Sequence, residues 1–408
     1  MKRLGLAVLL IVVALALSAP ASFGEQGKPK LVPHKKEGAK KDEAKGESQT
    51  SLEQRIAANV PKDFPVPLKW PFYAAKLGKA VDIWYAPTAT FFIDSSNSAK
   101  VEGNIFVQTE NNTLCTLSLE GSLKWTAPLT FRLTMAPKVS AFGVYINNLS
   151  RIIALDRRNG QIIWLRDYND LTICTPIHVT PTMLYVGTFN KLVVGINRLS
   201  GDIVWTYGLE GDINAATTDA FSPNPADFIL APCFDGNLYA ITSAGQELWR
   251  FSTYGRLMST PVVEIVSDSD RYVYFGSQDT NLYCVNATSS QKKWEFRSGS
   301  PIEEAPTLCA GNVYVRNTKS EFFCVNKATG ILLWKKEGVV GIAGTSIAGD
   351  IYLIQGANTL IAVNPATGVE RWKAAMPTFV KFLQNTTTPT IYGITKDGLV
   401  LAFEEALK

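Results

Sequence analysis

An eleven-residue phrase recurs along this chain and limits what it can fold into. Ala154–Trp164 reads A-L-D-R-R-N-G-Q-I-I-W: an apolar strand end, a polar turn closed by Gly160, and a returning strand that reaches Trp164. Gly195–Trp205, Cys324–Trp334 and Ala362–Trp372 repeat it, each with Gly at the same place. Cys284–Trp294 keeps the length but carries Ser290 where the others have Gly. Thr116–Trp125 and Ala240–Trp249 are one residue shorter in the turn and keep Gly121 and Gly245. Asn-Gly and its relatives suit a tight link between antiparallel strands, because both residues tolerate positive φ.

The seven tryptophans Trp125, Trp164, Trp205, Trp249, Trp294, Trp334 and Trp372 are spaced by 39, 41, 44, 45, 40 and 38 residues. A period of roughly 40–45 residues with four strands per period is the sequence sign of a β-propeller. Upstream of each phrase lies an alternating strand such as Val144–Asn147 or Tyr272–Ser277, preceded by a short segment with Ala or Thr before Pro, as in Thr175-Pro176 and Ala305-Pro306. Thr390–Thr395 and Leu399–Phe403 begin an eighth unit with no Trp after it. The arithmetic assigns its missing outer strand to Ala80–Tyr85, because Trp84 precedes Trp125 by 41 residues, one full period. The expectation is an all-β, eight-bladed propeller of four-stranded antiparallel blades over 79–408, closed by an N-terminal strand that removes two open sheet edges. If Trp84 is only a core aromatic, seven blades with extra strands remain.

The phrase A-x-D-x-x-T/N-G-x-x-x-W resembles the tryptophan-docking repeat of quinoprotein dehydrogenases and their non-enzymatic relatives, the PQQ-like propellers. The latter include the propeller subunit of the outer-membrane β-barrel assembly machinery. The resemblance implies that Trp84, Trp125, Trp164, Trp205, Trp249, Trp294, Trp334 and Trp372 dock between neighbouring blades, with each turn Gly meeting the adjoining repeat.

Ahead of the repeats, residues 1–24 read as a signal peptide: Lys2 and Arg3, an apolar run over Leu4–Leu17, then small residues at Ala19-Pro20-Ala21. An apolar run of this length is short of the roughly 20 residues a helical span needs. An uncleaved anchor is the other reading. No cysteine follows the run, which argues against lipidation. Residues 25–50 are a Lys-, Glu- and Gly-rich linker with too little apolar surface to offset its ordering entropy. Within the lead-in 51–78, Ser51–Asn59 reads as a short helix. Pro61, Pro65, Pro67 and Pro71 read as an extended stretch that lays Trp70, Phe72 and Tyr73 against the outside of a blade, or offers them as a partner motif.

The 40 basic and 36 acidic residues include Lys2 and Arg3 in the signal, and seven lysines and five acids in the linker; removing these leaves 31 of each sign in 51–408. A neutral propeller does not recommend nucleic acid as ligand. Cys284 and Cys324 occupy the small-residue position of the phrase and read as apolar filler. A pair among Cys174, Cys233 and Cys309 is the alternative for an exported chain.

For chemistry the chain offers two histidines, His34 in the linker and His178 on an inner strand, where it reads as an interior residue. There is no G-x-S-x-G, P-loop or metal-spaced cluster, so no catalytic residue and no metal ligand is assigned. The resemblance implies that enzymatic members grip their cofactor with vicinal cysteines, a stacking Trp and acidic calcium ligands. This sequence has no adjacent cysteines, and no cofactor is assigned. Glu303, Glu304, Arg132 and Lys381 are the channel candidates for one. As adjacent strand residues, Glu303 and Glu304 would point to opposite faces. The reading is a non-enzymatic, monomeric, periplasmic or extracellular scaffold for protein partners, in envelope protein assembly. A PQQ- or ligand-binding redox module is the alternative, and a sensor or carbohydrate-binding propeller is a third.

Overall fold

In a repeat the outer strand alternates, as at Leu123–Pro128, while the two strands inside it are buried along most of their length, as at Gly143–Asn147 and Arg151–Asp156. The computed structural model describes residues 49–74, 77–88, 102–213, 218–219, 228–267 and 270–405. The expected signal segment and all of the expected linker but its last two residues lie outside these. Among the described residues there are eight four-stranded antiparallel sheets and one α-helix, Gln49–Asn59.

Blade 1 comprises Ala80–Thr88, Glu102–Thr109, Thr113–Leu117 and Leu123–Pro128, and blade 2 Lys138–Val139, Gly143–Asn147, Arg151–Asp156 and Ile162–Asp167. Blade 3 comprises His178–Val179, Met183–Gly187, Leu192–Asn197 and Ile203–Gly208, and blade 4 Thr218–Asp219, Phe228–Pro232, Asn237–Thr242 and Glu247–Ser252. Blade 5 comprises Val262–Ile265, Arg271–Gly276, Asn281–Asn286 and Lys292–Arg297, and blade 6 Thr307–Cys309, Asn312–Arg316, Glu321–Asn326 and Leu332–Glu337. Blade 7 comprises Val339–Thr345, Ile351–Gln355, Thr359–Val363 and Glu370–Ala375. The first strands of blades 1 and 2, 2 and 3, and 4 and 5 touch one another, which makes the first strands the innermost.

Blade 8 holds Phe379–Phe382, Thr390–Thr395 and Leu399–Glu404, and takes its outer strand from Leu68–Tyr73. Closure by an N-terminal strand is therefore present, but the strand is not Ala80–Tyr85. That segment is the innermost strand of blade 1, with Trp84 opposite Phe106. The docking tryptophan of the closing strand is Trp70, opposite Ala402, and the propeller starts at Leu68, inside the segment read as a lead-in. Trp70, Pro71, Phe72 and Tyr73 are part of a sheet and not an outer cover, while Pro61, Pro65 and Pro67 precede the strand; Pro71 sits on an outermost strand, where a missing ladder donor costs least.

One local device recurs in all eight blades. The outer Trp lies opposite a small or short residue of the third strand: Thr116, Ala154, Gly195, Ala240, Cys284, Cys324, Ala362 and Ala402. In each blade an irregularity in register sits immediately beside that pair. The small partner leaves room for the indole, and a bulge re-aims the strand. In seven joints the indole Nε1 then donates to a carbonyl of the next blade's turn: Leu119 from Trp70 (2.8 Å), Arg157 from Trp125 (2.8 Å), Arg198 from Trp164 (3.1 Å), Ser243 from Trp205 (2.8 Å), Ala287 from Trp249 (3.2 Å), Lys327 from Trp294 (3.0 Å) and Pro365 from Trp334 (2.9 Å). At the joint of blades 8 and 1, a Cβ on Gly121 (φ +81°) would come within 2.5 Å of the Trp70 ring, so the turn needs glycine for its space as well as its φ. Trp372 meets Phe64 instead, edge-on at 5.9 Å between centroids and 85° between planes.

The core consists of the layers between blades. Six tyrosines in equivalent second-strand positions, Tyr145, Tyr185, Tyr274, Tyr314, Tyr352 and Tyr392, are buried there. The N-terminal helix and the segment after it add to the last joint: Leu52, Ile56, Val60 and Phe64 pack on a cluster that includes Phe379, Leu401 and Phe403.

Candidate functional site

The candidate charges fall on three separate blades. Arg132 lies on the connection into blade 2 and is exposed. That connection is pinned by Gln108, whose Oε1 accepts from Leu133 N at 2.9 Å and whose Nε2 donates to Phe131 O at 3.2 Å. Lys381 lies on the innermost strand of blade 8, ion-paired with Asp82 of blade 1 and 5.6 Å from the ring centroid of Trp84. Glu303 and Glu304 lie on the connection into blade 6, before its first strand starts at Thr307.

Because that connection is irregular, strand alternation does not govern the acidic pair. Both carboxylates line one open cavity of about 160 Å³, with Arg316, Asn317 and Thr318. Glu303 Oε1 accepts from Gln278 Nε2 at 2.8 Å, reaching back to blade 5. Glu304 makes a two-point ion pair with Arg316, its Oε2 accepting from Nε at 3.0 Å. Glu304 is about half exposed, so this pair is screened and contributes little to stability. Beneath the cavity a polar layer holds the loop: Asn317 donates to Ser298 O (3.2 Å) and to Glu321 (2.8 Å), and Ser300 bonds Thr318 (2.8 Å).

Glu303 and Glu304 thus share a cavity, while Arg132 and Lys381 stand at other blades. Asp82, Gln278 and Arg316, which engage three of the four, were not singled out from sequence. Arg316 ends the second strand of blade 6 and lies twelve residues after Glu304, which is on the connection into the same blade. Among the described residues no three His, Cys, Asp or Glu side chains gather as a metal site would require. A flat, anionic quinone needs a stacking surface, cations and convergent oxygens together. The candidate charges, dispersed and mostly engaged with neighbours, do not fit it. His178 lies on the innermost strand of blade 3, stacked on Tyr185 with ring planes 16° apart.

The six cysteines are free thiols. Cys284 and Cys324 sit across from the docking indoles, as filler. Burial pushes the Cys115 thiol up to about 11, and those of Cys174, Cys233, Cys284 and Cys324 to about 12. Desolvation of a thiolate is the largest cause in each case.

The family model described as "Outer membrane protein assembly factor BamB" matches residues 83–224 and 234–404. The curated outer membrane protein assembly factor BamB of Yersinia pestis is 26% identical over 208 residues, 45% of this chain and 50% of that protein, so the chain covers about half the length of this relative. Among solved structures, BamB from Moraxella catarrhalis matches with a TM-score of 0.62 at 17% identity, over 84% of this chain and 98% of that one. The quinohemoprotein alcohol dehydrogenase from Comamonas testosteroni matches with a TM-score of 0.59 at 12% identity, over 86% and 78%. At such identities the two structures speak for the fold alone.

Proposed function

The chain belongs to the outer membrane protein assembly factor BamB family, and from that premise we propose that it is a non-enzymatic scaffold of the cell envelope that holds protein partners during outer-membrane protein assembly. The observation that carries this reading is the dispersal of the candidate charges over separate blades. Glu304 is answered by Arg316 within blade 6, Glu303 by Gln278 of blade 5, and Lys381 of blade 8 by Asp82 of blade 1. A site built for chemistry converges its polar groups on one reacting position; here they tie neighbouring strands and connections together. Loops carried on rigid sheets are a usual place for recognition. Export across the inner membrane to the periplasm, action as a monomer and the absence of a lipid anchor belong to the same proposal.

The redox alternative shares the fold and differs in what it demands of the channel. An affinity-tagged full chain, expressed in an envelope-bearing host and recovered under mild detergent, tests the proposal. Stoichiometric co-purification of an outer-membrane assembly protein supports it. Dye-linked alcohol oxidation by the purified chain supplied with PQQ and calcium overturns it.

A further inference from the structure

Among the described residues, two cations that both adjoin Tyr145 at the joint of blades 2 and 3 have no carboxylate partner. Arg198, in the turn of blade 3 that receives the Trp164 indole, is only 6% exposed. Its Nε donates to Pro181 O at 2.8 Å, its Nη1 donates to the Tyr145 hydroxyl at 3.2 Å, and its guanidinium lies 4.4 Å from the ring centroid of Phe142. Lys138 sits directly across from Tyr145 on the innermost strand of blade 2, so the two side chains share a face. Among the described residues no carboxylate pairs with either cation. A guanidinium forms up to five hydrogen bonds, and a buried charge without an opposite one is costly.

The joint of blades 5 and 6 shows what neutralisation looks like in the same place. Lys327 occupies the turn position of Arg198, since its carbonyl receives the Trp294 indole as that of Arg198 receives Trp164. Lys327 is ion-paired with Glu264 of the innermost strand of blade 5, and the same carboxylate accepts from the Tyr274 hydroxyl at 3.1 Å. Tyr274 is the counterpart of Tyr145, and Val262 opposite it is the counterpart of Lys138. Counting two residues along the strand, Glu264 is replaced by Ser140, whose hydroxyl accepts from the backbone of Phe142 and Gly143. Where one joint carries an acid, the other carries a second cation. Burial holds the Lys138 amine below the ordinary lysine range, with no carboxylate beside it to offset the desolvation.

The surface above is apolar. Phe142 is 63% exposed while it covers the guanidinium, and Leu199, the residue after Arg198, is 71% exposed. We propose that the joint of blades 2 and 3 is a receptor for a peptide carboxylate, in which Arg198 and Lys138 supply the charge that Glu264 answers elsewhere, and Phe142 and Leu199 take an apolar side chain next to it. Aromatic and arginine side chains paired in this way are the usual anchors of protein interfaces, and a guanidinium fork matches a carboxylate in two-point geometry. The ligand is a chain terminus or an Asp or Glu side chain beside a hydrophobic residue. The choice of a peptide over a free anion rests on the scaffold reading.

The full chain should be titrated with three fluorescein-labelled peptides of one apolar sequence: one with a free C-terminal carboxylate, one amidated, and one amidated with an internal Asp. The expected result is that at least one acidic peptide binds tenfold or more tighter than the neutral amide. That binding should weaken at high salt and fall at least tenfold in Lys138→Met. Phe142→Ala serves as the second variant and should also weaken it, because Arg198 variants risk the joint itself. Melting curves identify variants that keep the fold. Equal affinity for the neutral and acidic peptides, or wild-type affinity in both folded variants, overturns the site. Displacement by inorganic phosphate at the same concentration as by free peptide overturns the peptide assignment. Retained capture of an assembly protein by Lys138→Met alongside lost peptide binding separates this site from the wider scaffold proposal, which then stands on other surfaces.

Discussion

The indole Nε1 of Trp70 donates to the carbonyl of Leu119 at 2.8 Å, and with this bond the last blade is fastened to the first. The indole is 7% exposed and seated on Gly121. Trp70→Ala should cost about 3–5 kcal/mol, the range for emptying a buried aromatic site. Chemical denaturation followed by tryptophan fluorescence measures it, and a loss below 1 kcal/mol contradicts a closing role.

A chain beginning at Gln49 keeps the closing strand, and one beginning at Ala74 lacks it. The shorter chain exposes the edge of Leu399–Glu404 and should aggregate, while the longer one stays soluble. Size-exclusion chromatography of the two gives the answer.

Phe64 stands edge-on to both Trp372 and Phe403, at 5.9 and 5.0 Å between centroids. It occupies the place that a turn fills at the other joints. Phe64→Ala should destabilise by about 2–3 kcal/mol, somewhat under the full cost because the ring is only half-buried. A change within 0.5 kcal/mol, a typical surface value, would remove Phe64 from the joint.

Ser290 holds the turn of blade 5 at φ +56°, where the other full-length phrases have Gly. The left-handed region strains a residue with a Cβ, though glycine also gains entropy in the unfolded chain. Ser290→Gly should raise the melting temperature, with a stabilisation of about 1 kcal/mol or less. A lowered melting temperature means that the serine hydroxyl contributes more than its backbone costs.

The thiols give a pH signature. Their folded-state values lie above the ordinary 9, so the native protein binds more protons than the unfolded chain once pH passes that value. Stability is intact below about 9 and declines as pH rises toward the folded-state values of about 11 to 12. Iodoacetamide at neutral pH should leave Cys115, Cys284 and Cys324 unlabelled until denaturant is added. Mass spectrometry of the native protein reads this out, and rapid native labelling of those three contradicts their burial.

The repeat made most of the fold legible, because tight turns and indole packing both have strict residue requirements. The phrase marked the outer half of seven blades, and the small residue opposite each Trp was visible in every copy. The closing strand was misassigned because a constant period was applied to the first blade. Trp70 and Trp125 are 55 residues apart, and the long link between Ala80–Thr88 and Glu102–Thr109 accounts for the excess. Trp84 fell at the expected offset by coincidence. Leu68-Lys69-Trp70 repeats Leu123-Lys124-Trp125, a better signal than distance. The candidate site was less legible. Glu303 and Glu304 stood out as an acidic pair, but Arg316 reaches Glu304 from a strand of the same blade and Gln278 reaches Glu303 from blade 5, a pairing that only the ring creates.

Closure by Leu68–Tyr73 also sets a timetable. Lys69 and its ion-pair partner Glu404 are 335 positions apart. At about 5–20 residues per second, the first strand leaves the ribosome roughly 20–70 s before its partner exists. Throughout that interval the ring is an open arc with an unpaired strand at its leading end, so premature docking of that strand on a neighbouring chain is the characteristic hazard of this architecture. Any factor that shields residues 68–73 during synthesis would act on yield without touching the finished protein.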